Sequence, residues 1–259
     1  PERGEPVTNY RLAPEQINQF FQSLPTDKKG GFELRPEQIN MSEQVTAAFN
    51  EKQVLLAEAG TGTGKSLAYL LPATLWAKGS RQQVIISTNT INLQEQLMSK
   101  DIPLLRQQLG EDFGAVVLKG RGNYICRRKW RAMRQQAEAK TLPVYLRLAH
   151  WLTLTSSGDF SELNLWGQEY DIVQQLNAGS ESCVNFNCPF QRKYCFVSQI
   201  RRKAQQADLL IINHSLLLTV AQLGDDGAGV LPPARYLIVD EAHQLPAVAQ
   251  RQFSQRFSS

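Results

Sequence analysis

Apolar positions along the chain recur at two spacings. Ile17, Phe20, Phe21 and Leu24 fall on one helical face and predict a short helix over Pro14–Leu24. A second helix is predicted over Pro36–Phe49. Gln53–Ala57 is a short apolar run that predicts a strand, followed by a Gly-rich turn and a helix over about Ser66–Lys78. Val84-Ile85-Ile86-Ser87 predicts another strand. Ile91, Leu93, Leu97, Ile102, Leu104 and Leu105 predict a helical stretch over Ile91–Leu109 that Pro103 breaks. Ala115–Leu118, Leu209–Ile212 and Tyr236–Val239 read as further strands. Continuously apolar strands alternating with helices predict an α/β fold, a parallel sheet covered by helices on both faces. The pentapeptide Pro-Glu-Gln-Ile-Asn occurs at 14–18 and 36–40. It reads as a shared way to start a helix, with Pro and an acid in the first turn, not as a structural repeat.

Residues 119–205 break the rhythm. They hold all four cysteines and three of the four tryptophans, Trp130, Trp151 and Trp166. The simplest organisation is a polar lead-in over 1–34 with a Lys28-Lys29-Gly30-Gly31 linker, an α/β domain over 35–118 continued at 206–259, and a small, mostly helical domain inserted at 119–205. Gly224–Gly229 is a predicted loop, and Pro232-Pro233 leads into the last strand.

Charge sharpens this division. The 259 residues carry a formal net charge of only +4. Yet 119–137 holds seven basic side chains and no acid, and 187–207 holds five and no acid, while the stretch between holds six acids and two bases. Two basic blocks point to a polyanion partner. An apolar content of 42% excludes a collagen or a wholly disordered chain. No run nears the roughly 18 apolar residues of a membrane span, and no apolar signal region opens the chain, so a cytoplasmic protein without membrane partners is expected.

Ala59-Gly60-Thr61-Gly62-Thr63-Gly64-Lys65-Ser66 follows a predicted strand and opens a predicted helix. It is G-x-x-x-x-G-K-S with Ala in place of the first glycine. Glycines let successive N–H groups turn toward phosphate oxygens, and the helix N-terminus adds partial positive charge. Lys65 is expected to reach the β- and γ-phosphates of ATP, and the Ser66 hydroxyl to ligand Mg²⁺. Asp240-Glu241-Ala242-His243 closes the last strand and supplies the acids such a site needs. Asp240 is expected at Mg²⁺ through water. Glu241 is expected to orient the attacking water, and His243 to link the nucleotide to a moving part.

The pair of motifs resembles motifs I and II of the superfamily 2 helicases. Arg35-x-x-Gln38-x-x-Met41 resembles their adenine-reading Q motif. Ser87-Thr88 with Leu93-Gln94-Glu95-Gln96-Leu97 resembles the motif Ia that contacts the DNA backbone.

The cysteines are spaced Cys126-x56-Cys183-x4-Cys188-x6-Cys195. A disulfide set does not suit a cytosolic ATPase. Zinc usually shows C-x2-C pairs, which are missing, and one remote plus three clustered thiolates suits an iron–sulfur cluster. Zinc and unlinked thiols stay open on spacing. The surrounding residues resemble the DinG/YoaA-type bacterial helicases, relatives of XPD: Lys119–Cys126, Cys188-Pro189 with Cys195-Phe196-Val197, Ala207-Asp208 through Ile212–Leu217, and Asp240–Leu245. The resemblance implies a RecA-like P-loop motor domain and a [4Fe–4S] cluster on Cys126, Cys183, Cys188 and Cys195. Nearby Arg and Lys would offset the thiolate charge or face DNA phosphates. Tyr124, Trp130, Phe186, Phe190, Tyr194 and Phe196 would stack on unpaired bases or fill the insert's core.

The resemblance further implies a 5′→3′ ATP-dependent DNA helicase of replication and repair, acting on single-stranded and forked DNA. The second motor domain with its arginine fingers is absent here, so the chain is expected to bind nucleotide, hydrolyse it poorly and not unwind duplex. Two competing expectations are a nucleotide-gated single-strand binding module without motor activity and an RNA helicase with a zinc insert.

Overall fold

A computed structural model describes residues 5–24, 33, 35–60, 64–110, 112–136, 138–179, 183–184, 187–191, 193–224 and 229–254. The expected linker Lys28–Gly31, the phosphate-loop residues Thr61, Gly62 and Thr63, Phe186 and most of the Gly224–Gly229 loop lie outside them.

In chain order the elements are α1 (Pro14–Ser23), α2 (Pro36–Glu51), α3 (Lys65–Ser80), β1 (Val84–Thr88), α4 (Ile91–Gln96), α5 (Ile102–Leu109), β2 (Ala115–Val117), α6 (Arg127–Met133), α7 (Leu142–Leu154), α8 (Gln168–Leu176), α9 (Phe196–Gln206), β3 (Leu209–Asn213), α10 (His214–Leu223), β4 (Tyr236–Val239) and α11 (Leu245–Phe253). Both copies of the repeated pentapeptide start a helix, with Pro14 and Pro36 in the first turn, where a missing N–H costs nothing. The chain divides into two compact units: Pro1–Val117 with Ala204–Ser259, and Leu118–Lys203.

The first unit is built on a four-stranded, fully parallel sheet in the order β2-β3-β1-β4. Val84, Ile86, Leu209 and Ile211 share one buried cluster with Ile17, Phe21, Leu70 and Leu105 of the helices. Ile85, Leu210 and Ile212 alternate to the other side and are also buried, the pattern of a strand covered on both faces. Phe49, Trp76 and Tyr236 form a compact aromatic group, with Phe49 stacked on Trp76 at 5.4 Å and Tyr236 edge-on to Trp76 at 5.1 Å. It ties α2 and α3 to the start of β4.

Helix α3 carries Pro72 in its interior. Proline has no N–H for the carbonyl of Ala68 four residues back. The Ser42 hydroxyl donates to that carbonyl at 2.8 Å instead, so α2 repairs the helix that follows the phosphate loop.

Two expectations change. Gln53–Ala57 has no regular secondary structure and joins no described strand; Val54 is 100% and Leu56 92% exposed. An apolar run becomes a strand only when a neighbour supplies the hydrogen-bond ladder, and among the described strands none does. The helical stretch Ile91–Leu109 is not broken at Pro103. It widens into one π turn over Leu97–Asp101 and resumes as α5, with Pro103 in the new first turn.

The second unit has its own core of Ile125, Tyr145, Leu148, Trp151, Phe160, Val173, Leu176 and Phe196. Two isolated antiparallel bridges, Tyr124 with Asp159 and Ile125 with Asn177, pin the residues before Cys126. Lys119 is buried there; its Nζ meets Asp159 at 2.8 Å and donates to the Ser161 hydroxyl at 2.9 Å. The Tyr124 hydroxyl accepts from the Lys119 N–H at 3.0 Å, and burial holds that phenol well above its usual pKa. From Ala178 to Cys195 the described backbone forms no α-helix or strand. No helix among the described residues is long and apolar enough to cross a membrane.

Candidate nucleotide site and cysteine cavity

Parallel sheets gather loops at the carboxyl ends of their strands, and the first unit's chemistry collects there. β4 ends at Val239, and Asp240 is held from three sides. Its N–H donates to the Ser87 carbonyl at 2.9 Å. Its Oδ1 accepts the Glu241 N–H at 3.0 Å, and its Oδ2 accepts the Tyr69 hydroxyl at 3.0 Å. Tyr69 lies one turn beyond Ser66 on α3 and shares a hydrogen bond with the Ser66 side chain as well. Burial, then the charge of Asp240, raises the Tyr69 pKa well above its usual value, so the phenol stays a donor.

Glu241 takes a left-handed backbone at φ 53°, uncommon for a residue with a side chain. Its carboxylate reaches back to Lys65, Nζ to Oε1 3.6 Å, and outward to His243, Nδ1 to Oε2 3.4 Å. Lys65 and Glu241 are each about one-third exposed, whereas His243 is exposed. The structure thus brings together Lys65, Ser66, Asp240, Glu241 and His243 from the two ends of the sequence.

Gln38 lies against the end of the phosphate loop. It is buried, and its Nε2 donates to the Gly64 carbonyl at 2.8 Å, while Oε1 has no partner among the described residues. Gly64 sits at φ 76°, and a Cβ there would come within 2.2 Å of that same Nε2. Gln38 therefore clamps the exit of the phosphate loop. Gly60 is described; Thr61, Gly62 and Thr63 are not.

Tyr69 escaped the sequence reading, although its i, i+3 spacing from Ser66 on one helix face was the available signal. So did His214. It is fully buried, its Nδ1 lies 2.8 Å from the Ser87 hydroxyl, and the Glu241 and Asp240 carbonyls face its ring. Burial lowers its pKa, against the pull of those carbonyls.

In the second unit, Cys126, Cys183, Cys188 and Cys195 all line one cavity of about 100 Å³, with Arg121, Arg127, Arg128, Arg201 and Phe190. None of the four is joined in a disulfide among the described residues. Burial lowers the Arg201 pKa, and neighbouring Arg121 adds to that, while Cys183 and Cys195 oppose it. Arg127 stacks over the Phe196 ring at 4.4 Å. Among the described residues no group of three or more His, Cys, Asp or Glu is arranged to hold a single metal ion. The aromatics divide: Tyr124 and Phe196 are core, Trp130 stacks on Tyr145, and Phe190 faces the cavity. Tyr194 is half exposed with Lys193 over its ring at 5.5 Å.

Residues 36–136 match the family model described as DEAD/DEAH box helicase. The chain is 37% identical over 233 residues to the ATP-dependent DNA helicase YoaA of Haemophilus influenzae, a match covering 88% of this chain and 36% of that protein. It is 36% identical to the ATP-dependent helicase DinG of Mycobacterium tuberculosis, covering 83% of this chain and 35% of the relative. It is 34% identical to the 3′-5′ exonuclease DinG of Bacillus subtilis, covering 87% and 24%. The chain therefore spans about a third or less of the length of these curated relatives. With the phosphate-loop lysine and the strand-end acids in one crevice, it belongs to the DinG/YoaA family of DEAD/DEAH-box helicases.

Proposed function

We propose that the protein carrying this chain is an ATP-dependent DNA helicase, and that residues 35–118 with 206–259 are its first, RecA-like motor domain. The observation that carries this is the meeting of the two motifs. Tyr69 and Asp240, 171 positions apart, share a hydrogen bond, and Lys65 and Glu241 form an ion pair at the same crevice. Before nucleotide binds, Glu241 neutralises Lys65. An incoming γ-phosphate competes for the lysine and frees the carboxylate to orient a water for in-line attack. Mg²⁺, when bound, supplies charge neutralisation at the phosphates. Ser66 and Asp240 are the residues that would hold it, and Tyr69 fixes which way the Asp240 carboxylate faces. His243, exposed beside Glu241, is the side chain suited to report nucleotide state outward. Gln38 acts through Gly64, shaping the loop.

We propose further that 119–205 is an iron–sulfur domain with Cys126, Cys183, Cys188 and Cys195 as ligands. Four thiols around one cavity in a loop-rich segment suit a thiolate-held cluster, which would cross-link that segment. The four arginines lining the cavity offset thiolate charge and favour a polyanion nearby. Single-stranded and forked DNA as partner, 5′→3′ polarity, a role in replication and repair and a bacterial cytoplasmic location follow from the family resemblance.

The test is ATP turnover by the full-length protein with and without single-stranded DNA. Turnover that DNA stimulates, and that Lys65→Ala abolishes, is expected. Full turnover in Lys65→Ala refutes the site assignment, and no turnover in the wild type favours a binding module without a motor.

A further inference from the structure

The charge around the cysteine cavity is one-sided. Arg121, Arg127, Arg128 and Arg201 line it beside the four cysteines, and no Asp or Glu is among the described residues around it. Guanidinium groups gathered without an acid repel one another, so the cavity suits an anion. Two of them also carry a donor with nothing to meet. The Nε–H groups of Arg121 and Arg127 are buried and have no hydrogen-bond partner among the described residues. A buried donor left unmade is costly, which points to an acceptor that belongs in the cavity. Thiolate and sulfide sulfurs are such acceptors.

Arg127 and Arg201 are held at the cavity from different elements. Arg127 follows Cys126, and its guanidinium lies 4.4 Å over the ring of Phe196, which follows Cys195 and is buried. The stack joins the residue after the first cysteine to the residue after the last. Arg201 stands on α9, where Val197, Ser198 and Arg201 line the cavity from one helix face. Burial, and then the charge of Arg121, weakens the hold of Arg201 on its proton, while Cys183 and Cys195 strengthen it. A positive charge beside the sulfurs acts on whatever they hold. An oxidised cluster with four thiolates is an anion, and taking up an electron makes it more so. Buried guanidinium groups next to it favour the reduced form and raise its potential, and salt screens them little.

We propose that Arg127 and Arg201 face an iron–sulfur cluster and not nucleic acid, and that their charge sets its reduction potential. This rests on the reading of the four cysteines as cluster ligands, and adds which arginines act on the cluster. The test is a potentiometric titration of the anaerobically purified full-length protein, followed by the electron paramagnetic resonance of the reduced cluster. Iron and acid-labile sulfide are measured on each sample. Arg201→Gln is expected to disfavour reduction at least tenfold, a fall of about 59 mV for a one-electron couple. Its iron content, and the salt dependence of its affinity for a labelled oligodeoxythymidylate, are expected to match the wild type. Arg201→Lys, which keeps the charge, is expected to lose less than half as much potential. Arg127→Gln is expected to act in the same direction, and it carries the test if Arg201→Gln does not fold. An unchanged potential in both glutamine variants overturns the proposal. So does an equal fall in Arg201→Lys and Arg201→Gln, which marks packing and not charge. A salt slope shallower by about 0.7 in Arg201→Gln, the loss of one phosphate contact, overturns it as well. Loss of the iron from both glutamine variants assigns these arginines to holding the cluster, which also overturns a tuning role. A wild type that carries zinc, or no metal, removes the reading of the cysteines and the proposal with it.

Discussion

Substituting Gly64 by alanine tests how the phosphate loop is shaped. Two costs are visible. At φ 76° the backbone is left-handed, which for an L side chain costs roughly 1–2 kcal/mol. The new Cβ would stand 2.2 Å from Gln38 Nε2, so the 2.8 Å bond from that amide to the Gly64 carbonyl cannot survive. A buried amide left unmade costs roughly 1–3 kcal/mol. The sum is about 2–5 kcal/mol, or a fall in melting temperature of about 4–20 °C for a unit of this size. In a Gln38→Ala background the clash is gone and only the backbone term, roughly 1–2 kcal/mol, remains. Thermal unfolding by circular dichroism of the four members of this cycle is the assay, with hydrogen exchange at the first turn of α3 to locate the loss. Equal costs for Gly64→Ala in both backgrounds would refute the clamp. A cost under about 0.5 kcal/mol would refute the backbone argument too.

Tyr69→Phe removes the hydroxyl that fixes Asp240 Oδ2; the expected result is a several-fold higher Mg²⁺ concentration for half-maximal nucleotide binding, with binding in EDTA little changed, and an unaltered Mg²⁺ titration would count against it. Cys188→Ser is expected to lower iron and acid-labile sulfide in anaerobically purified protein and to destabilise the second unit, whereas wild-type iron content, or zinc in place of iron, would contradict the ligand set. Burial pushes the Glu162 carboxyl up, but hydrogen bonds from Ser157, Thr155 and Trp151, helped by Lys119, outweigh it and hold the pKa below its ordinary 4.5. Its contribution to stability is therefore present above that value and lost as pH falls below it, so Glu162→Gln is expected to flatten the acid limb of the unfolding profile, and an identical limb would show that the carboxylate is uninvolved.

Much of this was legible because it is local. Pro14 and Pro36 start helices by their own geometry. Lys65-Ser66 and Asp240-Glu241 carry chemistry that few other contexts need, and the apolar runs of β1 and β3 fit a strand buried on both faces. What stayed hidden depends on partners distant in sequence. The run Gln53–Ala57 has strand character in its side chains, but pairing belongs to the neighbour. The Ile91–Leu109 stretch shows its proline without showing that a wider turn would absorb it. The Gln38 amide has the hydrogen-bonding groups to read adenine and also those to hold Gly64; only the close approach of α2 to the loop shows the second use. Tyr69 reads as an ordinary helix residue, and His214 as one member of a family-like segment without a role of its own, until the sheet brings Asp240 and Ser87 beside them.

The adjacency of β2 and β3 has a kinetic consequence. Val117 pairs with Ile211, so everything between them is, for the sheet, a single connection to be closed. Closing a flexible connection of that length costs about 4 kcal/mol in chain entropy, plus a constant, before any ladder bond forms. If Leu118–Lys203 is already structured, its ends are near one another and most of that penalty has been met. A cysteine-bearing unit that is structured early would therefore speed the pairing of β2 with β3, and delaying its maturation would slow that registration.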